Sequence, residues 1–446
     1  MYLLGLHNSL GSGVALFKNN KLLFAVQEER LNRIKNFDGF PQKSLNLIYK
    51  KFNLSPNKIS YYIYGFKKNF YFDKFIKKNL KKRLQKLNPV QKKKFDKRIK
   101  IENLRDRREV NQFLYFAKKN NIPKKKIIFM DHHLSHAFSG ISLSGYNKCF
   151  SLSMDARGDY KSMLIMSYSK TKIKYIDMNF SYDSLGFLYG QITKLLGFKQ
   201  NRHEGKVLAL SVSGNYEKTL KIFEKMFSFK NGKLYANVDK FNPYFNNIDS
   251  KLKRQLKKFS RKDIAAGLQY FVEKIVLKIV RKIYFYNNKK SFNLCLSGGL
   301  FANIKINQKI SNSDYVKSLF VAPPMGDEGL NIGSVKAFLY QNGKKEKKKI
   351  PTTMYLGENF KKLNLNKYKN KINFQNLKKN ILVESIANDL LDEKVIAYFK
   401  GRAEFGPRAL CNRSILANPK NINITKKINE ILNRNDFMPF GPVMND

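Results

Sequence analysis

The chain opens with apolar segments of strand length that are separated by polar turns. Residues 2–6, 14–17 and 22–26 form these segments, and Asn19 with Asn20 separates the last two. Asparagine tolerates the positive φ that a two-residue hairpin turn requires. The pattern predicts an antiparallel sheet of three strands. The glycine-containing loop between the first two strands would leave backbone amides free to face an anion.

A second set of apolar segments repeats this layout later in the chain. Residues 149–154 predict a strand, 155–159 a polar glycine turn and 162–167 a second strand. Apolar residues then recur with helical spacing at 186–225 and at 262–287. Two hairpins, each followed by helices, predict an α/β fold with an internally duplicated ATPase core of the actin/hexokinase, ribonuclease-H-like type.

A polar stretch and a further strand predict a second domain after this core. A chain of 446 residues exceeds what one hydrophobic core usually organises, which favours more than one lobe. Residues 1–345 are predicted as the first domain and residues 346–390 as a connector. An apolar run at 395–399 then predicts the opening strand of a second domain over 391–446.

Bulk composition narrows the compartment in which the protein works. Hydrophobic residues make up 43% of the chain, yet no run approaches the roughly 20 apolar residues of a membrane helix. The N-terminus has no basic region and no small-residue cleavage site, so we predict no signal peptide. Three widely spaced cysteines suit a reducing environment. Together these features predict a cytoplasmic protein without a membrane span.

The formal net charge of +53 is densest in one basic segment. Residues 67–126 hold 23 Lys and Arg against 5 Asp and Glu. One interpretation is a surface for phosphate, anionic membrane or nucleic acid, because clustered cations release counterions from polyanions. The other is a solvated helical insertion, since Phe72, Leu80 and Leu87 keep a helix-like spacing. The segment lacks the interleaved aromatic and arginine residues of single-strand binders, which argues against nucleic acid.

Histidine and aspartate residues form a candidate metal site. His132 and His136 are four residues apart, so a helix would present both imidazoles on one face. Asp155 and Asp327 each follow an apolar strand pattern, where side chains reach the ligand cleft of α/β folds. Each has a structural alternative. The histidines could be buried and hydrogen-bonded behind an Asp131 N-cap, and the aspartates could form Asx turns or helix caps.

Three further segments predict contacts to a nucleotide, a phosphate or a substrate. Gly298 and Gly299 join a buried strand to a helix, where a nucleotide can lie close to the backbone. Lys206 lies at a loop-to-helix junction and could hold a phosphate or carbonyl oxygen, with an exposed charged loop as the alternative. Residues 400–414 contain three arginines and a Gly-Pro turn. They predict a phosphate cradle, because guanidinium groups bind phosphate in bidentate fashion.

The order of these segments resembles the family of O-carbamoyltransferases that includes nodulation-factor and antibiotic carbamoylating enzymes. The resemblance spans nearly the whole chain outside the basic segment. The stretches that carry it are Gln27-Glu28-Glu29-Arg30 with Phe40-Pro41, residues 131–137, 195–199 and 204–207, Leu296-Ser297-Gly298-Gly299 with Asn303, and residues 324–333 and 401–410.

The resemblance implies an actin/hexokinase-like N-terminal domain and a YrdC-like C-terminal domain. It implies that the latter makes carbamoyl-adenylate from carbamoyl phosphate and ATP, and that the former transfers the carbamoyl group to a hydroxyl of a sugar or small metabolite. The implied residues are His132, His136, Asp155 and Asp327 for a divalent metal, expected to be iron; Gly298, Gly299 and Asn303 for the adenosine; Glu204 and Lys206 at the transfer site; and Arg402, Arg408, Asn412 and Ser414 in the adenylation site.

Departures from the family pattern define the alternatives. The first loop reads Leu10-Gly11, with His7-Asn8 nearby, where relatives carry a His-Asp pair; His203 replaces an aspartate. Asn433-Arg434-Asn435 and Met438 replace a charged pair and an arginine. Relatives are longer, so we expect an incomplete C-terminal domain or a partner chain that completes it. The alternative functions are a degenerate or split relative that binds nucleotide and metal without turnover, and a tRNA-directed enzyme or basic tRNA- or nucleic-acid-binding protein.

Overall fold

The computed structural model describes residues 1–67, 74–230, 232–241, 250–344, 353–360, 373, 375–433 and 440–443. Residue contacts divide the chain into two units, 1–352 and 353–446. The strands of the described part are β1 Tyr2–His7, β2 Gly13–Lys18, β3 Lys21–Gln27, β4 Tyr61–Tyr64, β5 Ile127–Phe129, β6 Lys148–Gly158, β7 Lys161–Ser169, β8 Ile173–Phe180, β9 Phe227–Lys230, β10 Lys233–Ala236, β11 Phe292–Ser297, β12 Val316–Val321, β13 Ile396–Phe399 and β14 Arg413–Leu416.

The α-helices of the same described part complete the two units. They are α1 Glu29–Asn32, α2 Gln42–Phe52, α3 Lys74–Leu84, α4 Pro89–Lys119, α5 His132–Ser144, α6 Leu185–Leu195, α7 Glu204–Ser211, α8 Glu217–Glu224, α9 Ser250–Leu256, α10 Arg261–Tyr286, α11 Ile304–Ser311, α12 Leu330–Gln341, α13 Lys379–Leu391 and α14 Ile422–Ile431. None of these helices is both long enough and apolar enough to span a bilayer.

Two five-stranded sheets of the same topology form the N-terminal unit. Their strand orders are β3-β2-β1-β4-β5 and β8-β7-β6-β11-β12. In each sheet the first three strands along the chain form an antiparallel meander, and the last two run parallel to the first. Helix α5 follows the edge strand β5, and α12 follows its counterpart β12. The predicted α/β class with a duplicated core is therefore confirmed.

The two hairpins differ in how closely they follow the sequence pattern. Asn19 and Asn20 have φ values of 47° and 71°, so the predicted asparagine turn is confirmed. The turn predicted at 155–159 is wrong, because β6 continues to Gly158 and the chain reverses at Asp159 and Tyr160. The β6–β7 pairing skips residues 155–157. The backbone leaves the regular ladder there, which is why the pattern looked like a turn.

Close contacts between backbones bring the two halves of the N-terminal unit together. A β-carbon built on Gly333 of α12 would lie 1.8 Å from the carbonyl oxygen of Ser135 in α5. One built on Gly5 of β1 would lie 1.9 Å from the carbonyl oxygen of Asn331. No side chain fits at either position, so glycine allows α12 to pack directly on both elements.

The basic segment folds as helices α3 and α4, and α4 is not solvated on all sides. Near its start, Phe95 and Ile99 are buried in the hydrophobic core of the second half. Near its end, Phe113 and Phe116 are buried in the core of the first half. The predicted helix is present as α3, which contains Leu80, whereas Leu87 lies in the turn after α3 and Phe72 lies outside the described residues.

The C-terminal unit contains α13, α14 and the antiparallel pair β13–β14. Met354, Leu356 and Phe405 are buried in it. Residue contacts assign 353–360 to this unit, and α13 lies within the stretch predicted as a connector. Our domain boundaries remain a prediction from the sequence.

Candidate functional site

Helix α5 begins with the two histidines of the predicted metal site. The Asp131 carboxylate caps the helix by accepting a hydrogen bond of 2.9 Å from the Leu134 amide. The four-residue spacing puts His132 and His136 on one helical face, and both side chains are fully buried. The Asp131 N-cap, which was the structural alternative to a metal site, is therefore present together with two histidines on one face of the helix.

Asp155 and Asp327 lie opposite this face. Asp155 Oδ2 is 3.5 Å from His132 Nε2 and 3.6 Å from His136 Nε2. Asp327 Oδ1 is 3.7 Å and 3.4 Å from the same two nitrogens. One donor atom from each of the four residues lies within 4.8 Å of every other. The fold thus brings together all four residues that the sequence predicted as metal ligands.

The spacing of this cluster fits a divalent cation. Donors about 2.1 Å from a metal and about 90–110° apart are separated from each other by roughly 3.0–3.4 Å. The four nitrogen–oxygen separations fall at or slightly above that range. Both ring nitrogens of His132 and of His136 are buried without a hydrogen-bond partner among the described residues. Buried polar atoms are rarely left unpaired, so the inward-facing nitrogens are suited to a bound ion.

Neighbouring groups hold the four side chains in place. The Ser9 hydroxyl donates a hydrogen bond of 2.7 Å to Asp327 Oδ2. The His132 backbone amide donates one of 2.7 Å to Asp159 Oδ2. A β-carbon on Gly158 would lie 2.0 Å from the His132 ring, so only glycine leaves room for that imidazole. Such outer contacts fix ligand orientation in metal sites.

The electrostatics of the cluster match its composition. Burial acts to lower the pKa of His136, but Asp155 and Asp327 outweigh it and raise the pKa to about 9. Burial acts to raise the pKa of Asp155, but His132 and His136 hold it well below the usual range. Burial raises the pKa of Glu328, beside the cluster, to about 7. The Asp155 carboxylate and the His136 imidazole therefore favour each other's charged forms.

The third histidine of the segment fits the structural alternative, in which a histidine is buried and hydrogen-bonded. His133 Nδ1 is 2.8 Å from the Ser153 hydroxyl, and the side chain is fully buried. Burial, together with the positive charge of its neighbours, lowers the pKa of His133 well below the usual value. His133 is thus a neutral core residue with a hydrogen bond at Nδ1.

The two glycines that we predicted to contact a nucleotide lie beside the candidate metal site. Gly298 follows β11 with a φ of 93°, which favours glycine. A β-carbon on Gly299 would be 3.1 Å from Asp155 Oδ1, so the glycine backbone approaches this ligand closely. Asn303 caps α11 by accepting from the Ile306 amide, and its side-chain amide donates to Gln269 Oε1 at 2.8 Å. The predicted strand–glycine–helix arrangement is therefore present.

Glu204 and Lys206 lie in the first turn of α7, which packs on α10. The Glu204 carboxylate accepts a hydrogen bond of 2.6 Å from the Asn201 amide, and burial raises its pKa. Lys206 Nζ is 5.8 Å from the centre of the Phe198 ring. The Glu204 charge also adds to burial in raising the pKa of Tyr189, whose hydroxyl bonds Gln269. Glu204 is thus near the hydrogen-bond network of Asn303.

In the C-terminal unit the predicted phosphate cradle is built around a carboxylate. Glu404 Oε1 accepts hydrogen bonds from the amides of Leu410, Asn412 and Arg413, at 3.0, 2.8 and 2.9 Å. The Arg402 guanidinium donates to the carbonyls of residues 356 and 357. We expected this group to be directed at phosphate, and the structure uses it to hold the backbone.

The other predicted cradle residues lie on the same loop. The Asn412 amide donates to the Arg402 carbonyl at 2.8 Å, and the Ser414 hydroxyl accepts from the Cys411 amide at 3.1 Å. Arg408 is exposed. Sequence reasoning missed Glu404 as the organiser of this loop, although an acid among three arginines was a visible signal.

The first loop, where the sequence departs from the family, is held tightly. His7 is fully buried, and its Nδ1 lies 2.7 Å from Asn331 Oδ1. Burial lowers the pKa of His7, so the ring stays neutral. Asn8 Nδ2 donates to Gln112 Oε1 and to the Glu109 carbonyl of α4, at 2.8 and 2.9 Å. His7 therefore holds the loop through its contacts with Asn331 and the Leu10 carbonyl. The Asn433–Asn435 and Met438 departures fall on residues mostly outside the described part of the chain.

Family models and relatives agree on where this chain belongs. Residues 3–335 match the Carbamoyltransferase N-terminus and residues 387–446 match the Carbamoyltransferase C-terminus. An uncharacterised protein of Methanocaldococcus jannaschii is 32% identical over 99% of this chain and 78% of its own length. The nodulation protein NolNO of Sinorhizobium fredii is 28% identical over 96% of this chain, which spans only 61% of that relative.

Two solved structures show distant similarity. Component A of the Acidaminococcus fermentans (R)-2-hydroxyglutaryl-CoA dehydratase aligns with 77% of this chain and 100% of its own, at 12% identity and a TM-score of 0.42. Full-length HypF in its phosphate- and nucleotide-bound form aligns with 77% of this chain and 56% of its own, at 11% identity and a TM-score of 0.42. With one family model covering most of the N-terminal unit and another the end of the chain, this protein belongs to the carbamoyltransferase family.

Proposed function

We propose that this protein transfers a carbamoyl group to a hydroxyl of a sugar or small metabolite. In the first stage carbamoyl phosphate, ATP and water give carbamoyl-adenylate, pyrophosphate and phosphate. In the second stage the acceptor oxygen bonds to the carbamoyl carbon while the bond from that carbon to AMP breaks. The products are the O-carbamoyl compound and AMP, and the hydroxyl proton passes to a base.

The observation that carries the proposal is the four-residue cluster of His132, His136, Asp155 and Asp327 in a chain that matches both carbamoyltransferase models. Its nitrogen and oxygen donors suit a first-row divalent metal, and iron is the metal that we propose. Bound there, the cation would supply positive charge that stabilises negative charge developing on an oxygen. These four residues would hold it.

Residues of this chain account for the other requirements of the transfer stage. Gly298 and Gly299 leave the backbone open beside Asp155, which favours a nucleotide lying against it. We assign the adenosine to these glycines and to Asn303. Lys206 would hold a phosphate or the carbamoyl oxygen, and Glu204, whose pKa is raised by burial, would accept the hydroxyl proton.

We assign the first stage to the C-terminal unit. Arg402, Asn412 and Ser414 are on one loop, and exposed Arg408 lies between them in sequence. Arg408 would contact phosphate, since a guanidinium group is suited to bind its oxygens. Arg402 and Asn412 would act by holding the loop backbone, because both already make hydrogen bonds there.

The test is carbamoyl-phosphate-dependent release of pyrophosphate from ATP by the purified full chain, with and without added iron. We expect release, and we expect Arg408→Gln to reduce it at least tenfold. Lys426→Gln removes one exposed positive charge elsewhere in the same unit and should leave the rate unchanged. His136→Ala should retain pyrophosphate release and lose carbamoyl transfer, because it alters only the N-terminal unit.

The opposite results would support the alternative. ATP binding without pyrophosphate release would overturn the proposed reaction and favour a relative that binds without turnover. The Leu10-Gly11 sequence, which replaces a His-Asp pair of the family, motivates that alternative.

A further inference from the structure

A groove of about 870 Å³ lies along α4 in the N-terminal unit. Phe40 and Gln42 form one wall, and side chains of α4 between Leu104 and Lys119 form the other. The carbamoyl-transfer proposal assigns no role to this helix, which belongs to the basic segment. The helix contributes buried side chains to both halves of the core, so it is not the solvated insertion considered from the sequence.

The groove is cationic because the charges of α4 are segregated. Two of the helix acids are buried: Asp106 pairs with Arg157, and the Glu102 carboxylate accepts a hydrogen bond of 2.7 Å from Ser181. Arg107 and Arg108 are exposed along the groove, as is Lys119. No carboxylate lines the groove, and in the described part of the chain none pairs with these three cations. They are available for an anionic ligand.

Flat apolar surfaces accompany the charges. Tyr115 is 70% exposed beside the groove, and Leu104 is 68% exposed. Phe40 packs on Phe116 with ring centroids 4.9 Å apart, which fixes the wall opposite. Glu28 supports this wall because its carboxylate caps α2 by accepting from the amides of residues 43 and 44. An exposed aromatic face beside guanidinium groups suits a ligand with a ring and a phosphate.

The groove is joined to the metal cluster by two contacts. Gln112 lines the groove and accepts a hydrogen bond of 2.8 Å from Asn8. The next residue, Ser9, donates one of 2.7 Å to Asp327 Oδ2. Two hydrogen bonds therefore connect the wall of the groove, through the first loop, to a side chain of the candidate metal site.

We propose that this groove binds the carbamoyl acceptor, and that the acceptor is a sugar carrying a phosphate or diphosphate. The role of the bound sugar as carbamoyl acceptor rests on the proposed function. Its binding to the groove does not, because it follows from the side chains that line the groove. The phosphate lies on Arg107 and Arg108, and the sugar ring lies on Tyr115. A hydroxyl of the same molecule then faces the site of transfer.

The test is isothermal titration calorimetry on the full chain without ATP or carbamoyl phosphate. The probes are glucose 1-phosphate, UDP-glucose, methyl α-glucoside and inorganic phosphate. We expect at least one phosphorylated sugar to bind at least tenfold more tightly than methyl α-glucoside. R107Q/R108Q should weaken that binding at least tenfold. K93Q/K100Q removes two exposed charges of the same helix outside the groove and should change it less than twofold.

Tyr115→Ala separates sugar recognition from phosphate recognition. It should weaken the binding of the phosphorylated sugar at least threefold and leave the binding of inorganic phosphate unchanged. Equal binding of charged and neutral sugars, no binding of any probe, or equal losses in R107Q/R108Q and K93Q/K100Q would overturn the inference. Binding of this kind without pyrophosphate release would instead sink the proposed function and leave the groove assignment standing.

Discussion

At the scale of single residues, the candidate metal site combines two histidines that are close in sequence with two aspartates that are far from them in sequence. The spacing of His132 and His136 could be interpreted from the sequence because a helix fixes which residues share a face. Asp155 and Asp327 could be nominated as acids after strands. Their approach to the histidines depends on how the two halves of the N-terminal unit pack together, which no local sequence pattern specifies.

Metal content tests the cluster directly. We expect the purified protein, reconstituted with iron(II), to hold about one ion per chain, and His136→Ala or Asp155→Asn to reduce this to near zero. The reason is that each change removes one of four converging donors. His203→Gln is a matched control, since His203 lies in a loop outside the cluster and should leave the stoichiometry unchanged. Elemental analysis of the folded proteins is the measurement. Equal metal content in all variants would contradict the assignment.

Glu109 predicts a pH dependence of stability. Burial raises the pKa of this carboxyl from 4.5 to about 7, although Arg157 acts in the opposite direction. The folded state therefore holds a proton that the unfolded state has lost between those values. Its contribution to stability is present below pH 4.5 and is lost as the pH rises to 7.

Glu109→Gln should remove this loss. We expect the variant to gain roughly 1–3 kcal/mol in free energy of unfolding relative to the wild type between pH 5 and pH 8, measured by urea unfolding. Asp96→Asn, which removes an exposed acid of the same helix, is the matched control. A gain for Glu109→Gln that is the same at both pH values would rule out titration as the cause.

Some residues of the site gave no usable signal in the sequence. Ser9 supports Asp327, and Asp159 receives the His132 amide. The Lys161 ammonium and the Lys67 ammonium together lower the pKa of Asp131 against the effect of burial. Each of these contacts joins residues far apart in sequence, so only the folded chain reveals it.

At the scale of elements, α4 shows why charge counts mislead. The apolar residues with helical spacing that predicted a helix in the basic segment end at Leu87, before α4 begins at Pro89. The sequence did not predict that Glu102 and Asp106 would be buried, since their partners come from another part of the chain.

The contact between α5 and α12 supports a prediction at this scale. Gly333→Ala would place a methyl group against the Ser135 backbone, and the helices must move apart. We expect a loss of roughly 1–3 kcal/mol in stability, measured by denaturant unfolding, together with weaker metal binding. Gly441→Ala adds a methyl group in open space and serves as the control. Unchanged metal affinity in a destabilised Gly333→Ala protein would separate the packing of these helices from the cluster.

At the scale of the whole molecule, the net charge of +53 predicts stabilisation by salt. Like charges repel in the compact state, and salt screens this repulsion between exposed groups. We expect Tm to rise by several degrees from 50 to 500 mM sodium chloride, measured by calorimetry. Sucrose at equal osmolality controls for changes in water activity. A Tm that falls with sodium chloride would mean that attractive ion pairs outweigh the repulsion.

The duplicated core gives the metal cluster one further property. The first half of the N-terminal unit contributes two imidazoles from α5, and the second half contributes two carboxylates, from β6 and from the segment before α12. Neither half holds a complete ligand set. A bound cation would therefore link two halves of the same topology, and its binding free energy would stabilise their association. Removing the ion would therefore weaken the association of the two halves as well as leave the proposed site of transfer without its cation.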